Sequence, residues 1–129
     1  MNDSGPAPRR RTRITRSGDF DAVYRRGRSS ANRHLVVYAF RRPDRDDDPG
    51  VRLGLSVSRK VGGAVERNRV KRVLRERFRE IEGRLEPGVD LVVIARPGVA
   101  EYLDTRGSAA VGGRLRELAL KVAGREDSP

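Results

Sequence analysis

At 129 residues the chain has room for one domain built around one core, and nothing in its length calls for a second. Only 36% of it is hydrophobic and 5% aromatic, while 29 Lys and Arg stand against 18 Asp and Glu for a formal charge of +11. A compact core, a crowded cationic surface and a polyanionic partner (RNA, DNA or an acidic membrane surface) follow from those numbers, and the absence of cysteine excludes a disulfide framework, a thiolate metal site and a cysteine nucleophile.

Residues 1–8 are small, polar and proline-bearing, and they run into Arg9, Arg10, Arg11 and Arg13. That composition predicts a disordered basic arm over 1–13, ahead of a single domain at 14–124, to which the basic helix below gives an RNA-binding role, and a short tail at 125–129. Ser17 reads as an N-cap with Asp19 in the first turn, and Phe20, Val23 and Tyr24 follow at i, i+3, i+4 before Gly27, so a short helix is expected over 18–26. Residues 33–41, RHLVVYAFR, form a strand apolar on both faces, with Leu35, Val37 and Ala39 on one side and Val36, Tyr38 and Phe40 on the other. The stretch 42–50 holds two prolines and Asp44, Asp46, Asp47 and Asp48, which marks a connecting loop. Those carboxylates have oxygen-ligand chemistry for Mg²⁺ or Ca²⁺ but lack the glycine and glutamate positions of a calcium loop, and a solubilising loop is the simpler reading.

Residues 51–58 alternate, with Val51, Leu53, Leu55 and Val57 inward and the smaller Gly54, Ser56 and Ser58 outward beside Arg52. If this strand pairs with 33–41 as a hairpin, its small outward side leaves Tyr38 and Phe40 exposed on a shallow floor. A glycine-bearing connector over 60–65 leads into a helix that begins near 66–68 and runs to about 85, where Pro87 and Gly88 stop it. Along that helix Val70, Val73, Leu74, Phe78 and Ile81 share one flank, while Asn68, Lys71, Arg72, Arg75 and Arg79 project from another, about 140° away. Residues 67–79 contain seven cations and one anion, Glu76. Cations so close repel one another unless something anionic binds, so this face is a candidate nucleic-acid grip rather than a balanced solvated surface. Arg69 and Arg77 lie on or near the apolar side, where only their tips reach water. Residues 90–96, DLVVIAR, form a buried central strand, and a last helix of undefined start carries Leu115, Leu118, Ala119 and Val122 on one face. The order is α-β-β-α-β-α, an α+β fold with a single sheet packed against helices.

Of the 29 cations only Lys60, Lys71 and Lys121 are lysines. Arginine's planar fork suits bidentate phosphate contact and base stacking, and a GC-rich coding sequence would produce the same ratio. The longest apolar runs, 35–37 and 91–95, are too short to cross a bilayer, and the N-terminus has no apolar secretory core, so a cytoplasmic location is expected. A membrane-surface role would need bulky apolar residues opposite the charge, and the flank of Val70 to Ile81 is better used as core.

Three blocks in order, ANRHLVVYAF, LGLSVSRKVGGAVERNRVKRVLRERF and DLVVIAR, closely resemble the protein subunit of bacterial ribonuclease P. The resemblance spans about 17–96 and is most specific at the RNR stretch that begins at Arg67. It implies a left-handed βαβ crossover like that of a small-subunit ribosomal protein domain. It also implies a large catalytic RNA as partner and precursor tRNA as the object of 5′ leader removal. Cleavage would then use Mg²⁺ held chiefly by the RNA, with the protein as accessory subunit and no catalytic residue or metal ligand of its own. By motif match Arg67, Asn68, Arg69, Lys71, Arg72 and Arg75 inherit contact with the catalytic RNA, and Phe20, Tyr24 and Tyr38 fall on the aromatic positions of a cleft for the single-stranded leader. No protein oligomer is expected.

Residue chemistry agrees with the cleft: unpaired bases stack on aromatic rings for about 1–3 kcal/mol each with little sequence preference, which suits a leader of variable sequence. Phe20 at helical spacing also fits a core position, and Tyr24 and Tyr38 fit either use. Ser56, Ser58 and Lys60 extend along the open side of the second strand, where they either meet leader phosphates or form a plain solvated face. His34 is the only histidine and has no acid or cysteine beside it in sequence, so a structural role is expected. The rival reading is a structural RNA-binding protein of the ribosome; a protein-only nuclease would need clustered carboxylates or histidines near the basic helix.

Overall fold

The computed structural model describes residues 14, 17–43 and 49–125, apart from the side chains of Ser17 and Asp19. The expected basic arm over 1–13, the Ser17 cap, the acidic run 44–48 and residues 126–129 lie outside what is described. The described residues form α1 (Ser17–Arg26), β1 (Arg28–Ala31), β2 (Leu35–Arg41), β3 (Arg52–Val57), α2 (Ala64–Ile81) with a 3₁₀ turn at Glu82–Arg84, β4 (Val89–Ala95), α3 (Val99–Arg106) and α4 (Ser108–Ala123). Two elements were not anticipated. β1 is a four-residue polar edge strand, and α3 is a separate helix ahead of the last one, whose start the sequence left undefined; Gly107, at φ 89°, breaks α3 from α4 in a conformation that disfavours side chains.

One mixed sheet runs in the order β1-β2-β4-β3. β4 pairs antiparallel with β2 (Tyr38 opposite Val92) and parallel with β3 (Gly54 opposite Val92). The suggested hairpin of β2 with β3 therefore does not form: β4 sits between them, and β3 reaches it only after the chain has crossed over through α2. An α+β fold with a β-α-β crossover is what results. β4 is buried along nearly its whole length, as its continuous apolar run requires of a strand with neighbours on both sides and layers on both faces.

Strand alternation divides the core. Leu35, Val37, Leu53, Leu91 and Val93 face Val70, Leu74 and Phe78 of α2 and Leu115, Leu118 and Ala119 of α4, all of them buried. On the opposite face Val92 joins Val23 of α1 and Ile14, with Phe20, Tyr38, Phe40 and Ile94 packed half-buried around them. The buried residues of α2 are Val70, Val73, Leu74, Phe78 and Ile81, the flank its periodicity predicted.

A buried ionic knot closes one end of the sheet. Asp90, 2% exposed, accepts hydrogen bonds from Arg42 Nη1 at 2.6 Å and from Arg52 Nε and Nη2 at 2.7 and 2.6 Å, while Arg42 Nη2 donates to Gly50 O at 2.6 Å. β2, β3 and β4 are thereby pinned together at the end of the sheet that holds Arg41, Arg52 and Val89.

Candidate RNA interface

Two surfaces gather the residues singled out from sequence, and they lie on opposite faces of the sheet. On the helix-covered face, α2 starts from a connector in which Glu66 Oε1 accepts a hydrogen bond from Gly63 N at 2.9 Å, so the helix returns a carboxylate to its own first N–H groups. Arg67 Nε donates to Gly62 O at 3.2 Å, which ties the first arginine of the RNR stretch to that connector. Asn68 and Arg72 are exposed, and Lys71 and Arg75 half-buried. Arg69 leans toward α3 and forms an ion pair with Asp104, and Arg77 bonds Ser108 Oγ at 2.9 Å and Glu80. Both arginines expected near the apolar side thus spend their charge partly within the protein, while the projecting face is carried by Asn68, Lys71, Arg72 and Arg75. Val65, 82% exposed at the start of α2, adds an apolar side chain to this end of the helix, where no helical period marks it.

On the other face, strand register lines up Ser29, Tyr38, Val92 and Gly54 in one row and Ala31, Val36, Ile94 and Ser56 in the next. α1 crosses the first row. Phe20 sits over Gly54, and the room left by the small side of β3 is filled by that ring rather than open to solvent. Tyr24, 40% exposed, meets Tyr38 edge to face with ring centroids 5.2 Å apart, and Phe20 lies 6.4 Å from Tyr24. Burial, and after it the Tyr38 phenol, push the Tyr24 hydroxyl above its ordinary range, so it stays a neutral hydrogen-bond donor at pH 7. The second row, with Ser56 and Ile94 half-buried, continues the trough toward exposed Ser58 and Lys60. Phe20, Tyr24, Tyr38 and Ser56 are brought together; Lys60 stands at the trough's end, on the connector that leads into α2.

Among the described residues no group of three or more His, Cys, Asp or Glu side chains converges as a metal site, and Asp90 is engaged by two arginines. The chemistry both surfaces support is binding: cations and amide groups for phosphates, and aromatic edges and faces for bases. Among the described residues no helix is long and apolar enough to cross a membrane.

The Ribonuclease P family model matches residues 9–118, further toward both ends than the three sequence blocks reach. Ribonuclease P protein components of Geobacillus kaustophilus and Bacillus cereus are 47% and 43% identical over 93 residues, 72% of this chain and 74% and 78% of theirs. The solved ribonuclease P protein of Thermotoga maritima superposes with a TM-score of 0.75 at 32% identity, over 88% of this chain and 100% of that one. The Staphylococcus aureus protein gives 0.73 at 34% identity, over 88% and 95%. These matches set aside the ribosomal reading: the chain belongs to the ribonuclease P protein component family, a subunit of the endoribonuclease complex of tRNA processing, with an RNA partner in the holoenzyme.

Proposed function

We propose that α2 clasps the catalytic RNA of ribonuclease P while the α1-side trough guides the 5′ leader of precursor tRNA. Asn68, Lys71, Arg72 and Arg75 meet RNA phosphates and sugar edges, with Arg67 and Arg69 at the margins. Phe20, Tyr24 and Tyr38 offer rings to unpaired bases, and Ser56 and Lys60 donate to leader phosphates. Bond cleavage belongs to the RNA, which holds the Mg²⁺, and the protein raises the residence of the correct substrate. The observation that carries this reading is the arrangement of two RNA-compatible surfaces on opposite sheet faces, meeting at the connector between β3 and α2. A ligand bound by both is bridged by the sheet.

Titration with monovalent salt tests the first half. With six or more cations engaged, affinity for ribonuclease P RNA falls by about a thousandfold or more between 50 and 200 mM salt; a nearly flat dependence discards the basic-helix grip. For the second half, Tyr38→Ala in the reconstituted holoenzyme weakens precursor tRNA far more than mature tRNA, and equal losses for both remove the leader from the trough.

A further inference from the structure

A pocket of about 480 Å³ opens between the start of β2 and the helices α3 and α4, lined among others by Arg33, His34, Glu101, Tyr102, Arg106 and Arg114. None of these residues belongs to either surface described above. Three guanidinium groups and one carboxylate line it, and with Arg114 also paired to Glu117 at 3.7 Å the pocket still carries net positive charge. Its floor is built: the His34 and Tyr102 rings stack with centroids 4.0 Å apart and planes 22° from parallel, and Arg114 Nε donates to the Tyr102 hydroxyl at 3.2 Å. Asn32 fixes the approach, since its Oδ1 accepts from the backbone N–H groups of His34 and Leu35 at 3.0 and 2.9 Å and its Nδ2 donates to Arg114 O at 3.3 Å. His34 is only 9% exposed, yet its Nδ1 is buried with no hydrogen-bond partner among the described residues.

We infer that this pocket is a second phosphate subsite, which takes a phosphodiester of the same RNA that α2 holds. It rests on the RNA-binding reading of α2 and extends it. Continuity favours that RNA over the leader: β4 ends at Ala95 opposite Leu35 and Val57, so the pocket shares the end of the sheet from which the connector and α2 depart. It also lies on the helix-covered face, joined to α2 through the Arg69–Asp104 pair, whereas the aromatic trough is on the far face. The surroundings keep His34 neutral, through burial first and the charges of Arg114 and Arg33 next, and the field that repels a proton there attracts a phosphate. The rim arginines supply the charge-assisted donors that a phosphate oxygen accepts.

The test uses the full chain with Arg33→Gln and Arg106→Gln combined. Both side chains are exposed on the rim, so the fold survives their loss, and thermal unfolding checks that it does. Affinity for a ribonuclease P RNA transcript, without tRNA, is measured over a salt series, beside Arg72→Gln as reference. The double variant lowers the slope of log affinity against log salt by about 1 to 2, one step per cation lost, and the corresponding lysine pair restores most of it. In a second arm, precursor tRNA affinity of the holoenzyme assembled at saturating protein stays at the wild-type level. An unchanged slope in the double variant, with a lowered one in Arg72→Gln, overturns the subsite and leaves the α2 reading intact. Unchanged slopes in both variants overturn the two together, and a loss confined to precursor tRNA overturns the assignment to the catalytic RNA.

Discussion

Phe20 rests on Gly54: a Cβ on residue 54 would stand 2.7 Å from the Phe20 ring carbon Cε1 and 2.9 Å from Cζ. Gly54→Ala therefore lifts the ring and tilts α1 off the sheet. The expected cost is about 1–3 kcal/mol in stability, read by chemical denaturation, as for other overpacked sites. On the proposed division of the two faces, discrimination between precursor and mature tRNA falls in the same variant, while affinity for the RNA subunit, assigned to the opposite face, stays near wild type.

Removing the carboxylate at position 90 takes away the counter-charge that Arg42 and Arg52 share, with side chains only 4% and 16% exposed. Asp90→Ala is expected to destabilise the chain by about 3–5 kcal/mol, because losing the carboxylate from a buried ion pair costs more than the pair contributes. Denaturant unfolding of the free protein measures it, with Asp90→Asn showing a smaller loss.

The pair between Arg69 and Asp104 is half open to solvent, with side chains 36% and 55% exposed, so it is worth no more than about 1 kcal/mol to the fold. Its other effect is on the charge available to RNA. Asp104→Asn releases Arg69 and strengthens RNA binding at moderate salt, whereas Arg69→Gln weakens it; filter binding at fixed salt reads both. Neutral results in both variants would confine Arg69 to packing.

His34 gives a pH signature. Its folded pKa is lowered by burial and by Arg114 and Arg33, so the unfolded chain takes up a proton first as pH falls. The His34 contribution to stability is complete above the ordinary histidine value near 6.5 and is lost as pH drops through the lower folded value. Arg106 and Glu101 also line its pocket and offset each other, so Arg33 and Arg114 leave the lining net positive, which opposes protonation. As the only histidine in the chain, it accounts for the histidine part of the fall in melting temperature between pH 7 and pH 5, and His34→Gln flattens that part.

What the sequence made legible was the part governed by local period. The buried flank of α2 and its projecting cations follow from spacing alone, and so does the apolar run of β4. Strand partnership was not legible, because β2 and β3 are neighbours in sequence and the strand that separates them comes 32 residues after β3 ends, at Val89. β1, RSSA, is too short and polar to announce itself, and α3 hid behind Pro97-Gly98. The Asp90 knot and the His34–Tyr102 stack join residues 38 to 68 positions apart, a separation that no motif window spans. Of the trough, the aromatic identities were readable, but its floor was not: the glycine that accommodates Phe20 read as open surface.

The late position of β4 in the chain has a consequence for biosynthesis. Until residue 95 has emerged from the ribosome, β2 and β3 have no strand to share and the sheet has no middle. The cationic rod of α2 is made before the surface it packs on, and such long-range closure is slow. A nascent chain halted before β4 exposes that rod's apolar flank together with its full complement of arginines, so premature termination yields a sticky polycation rather than a smaller working subunit.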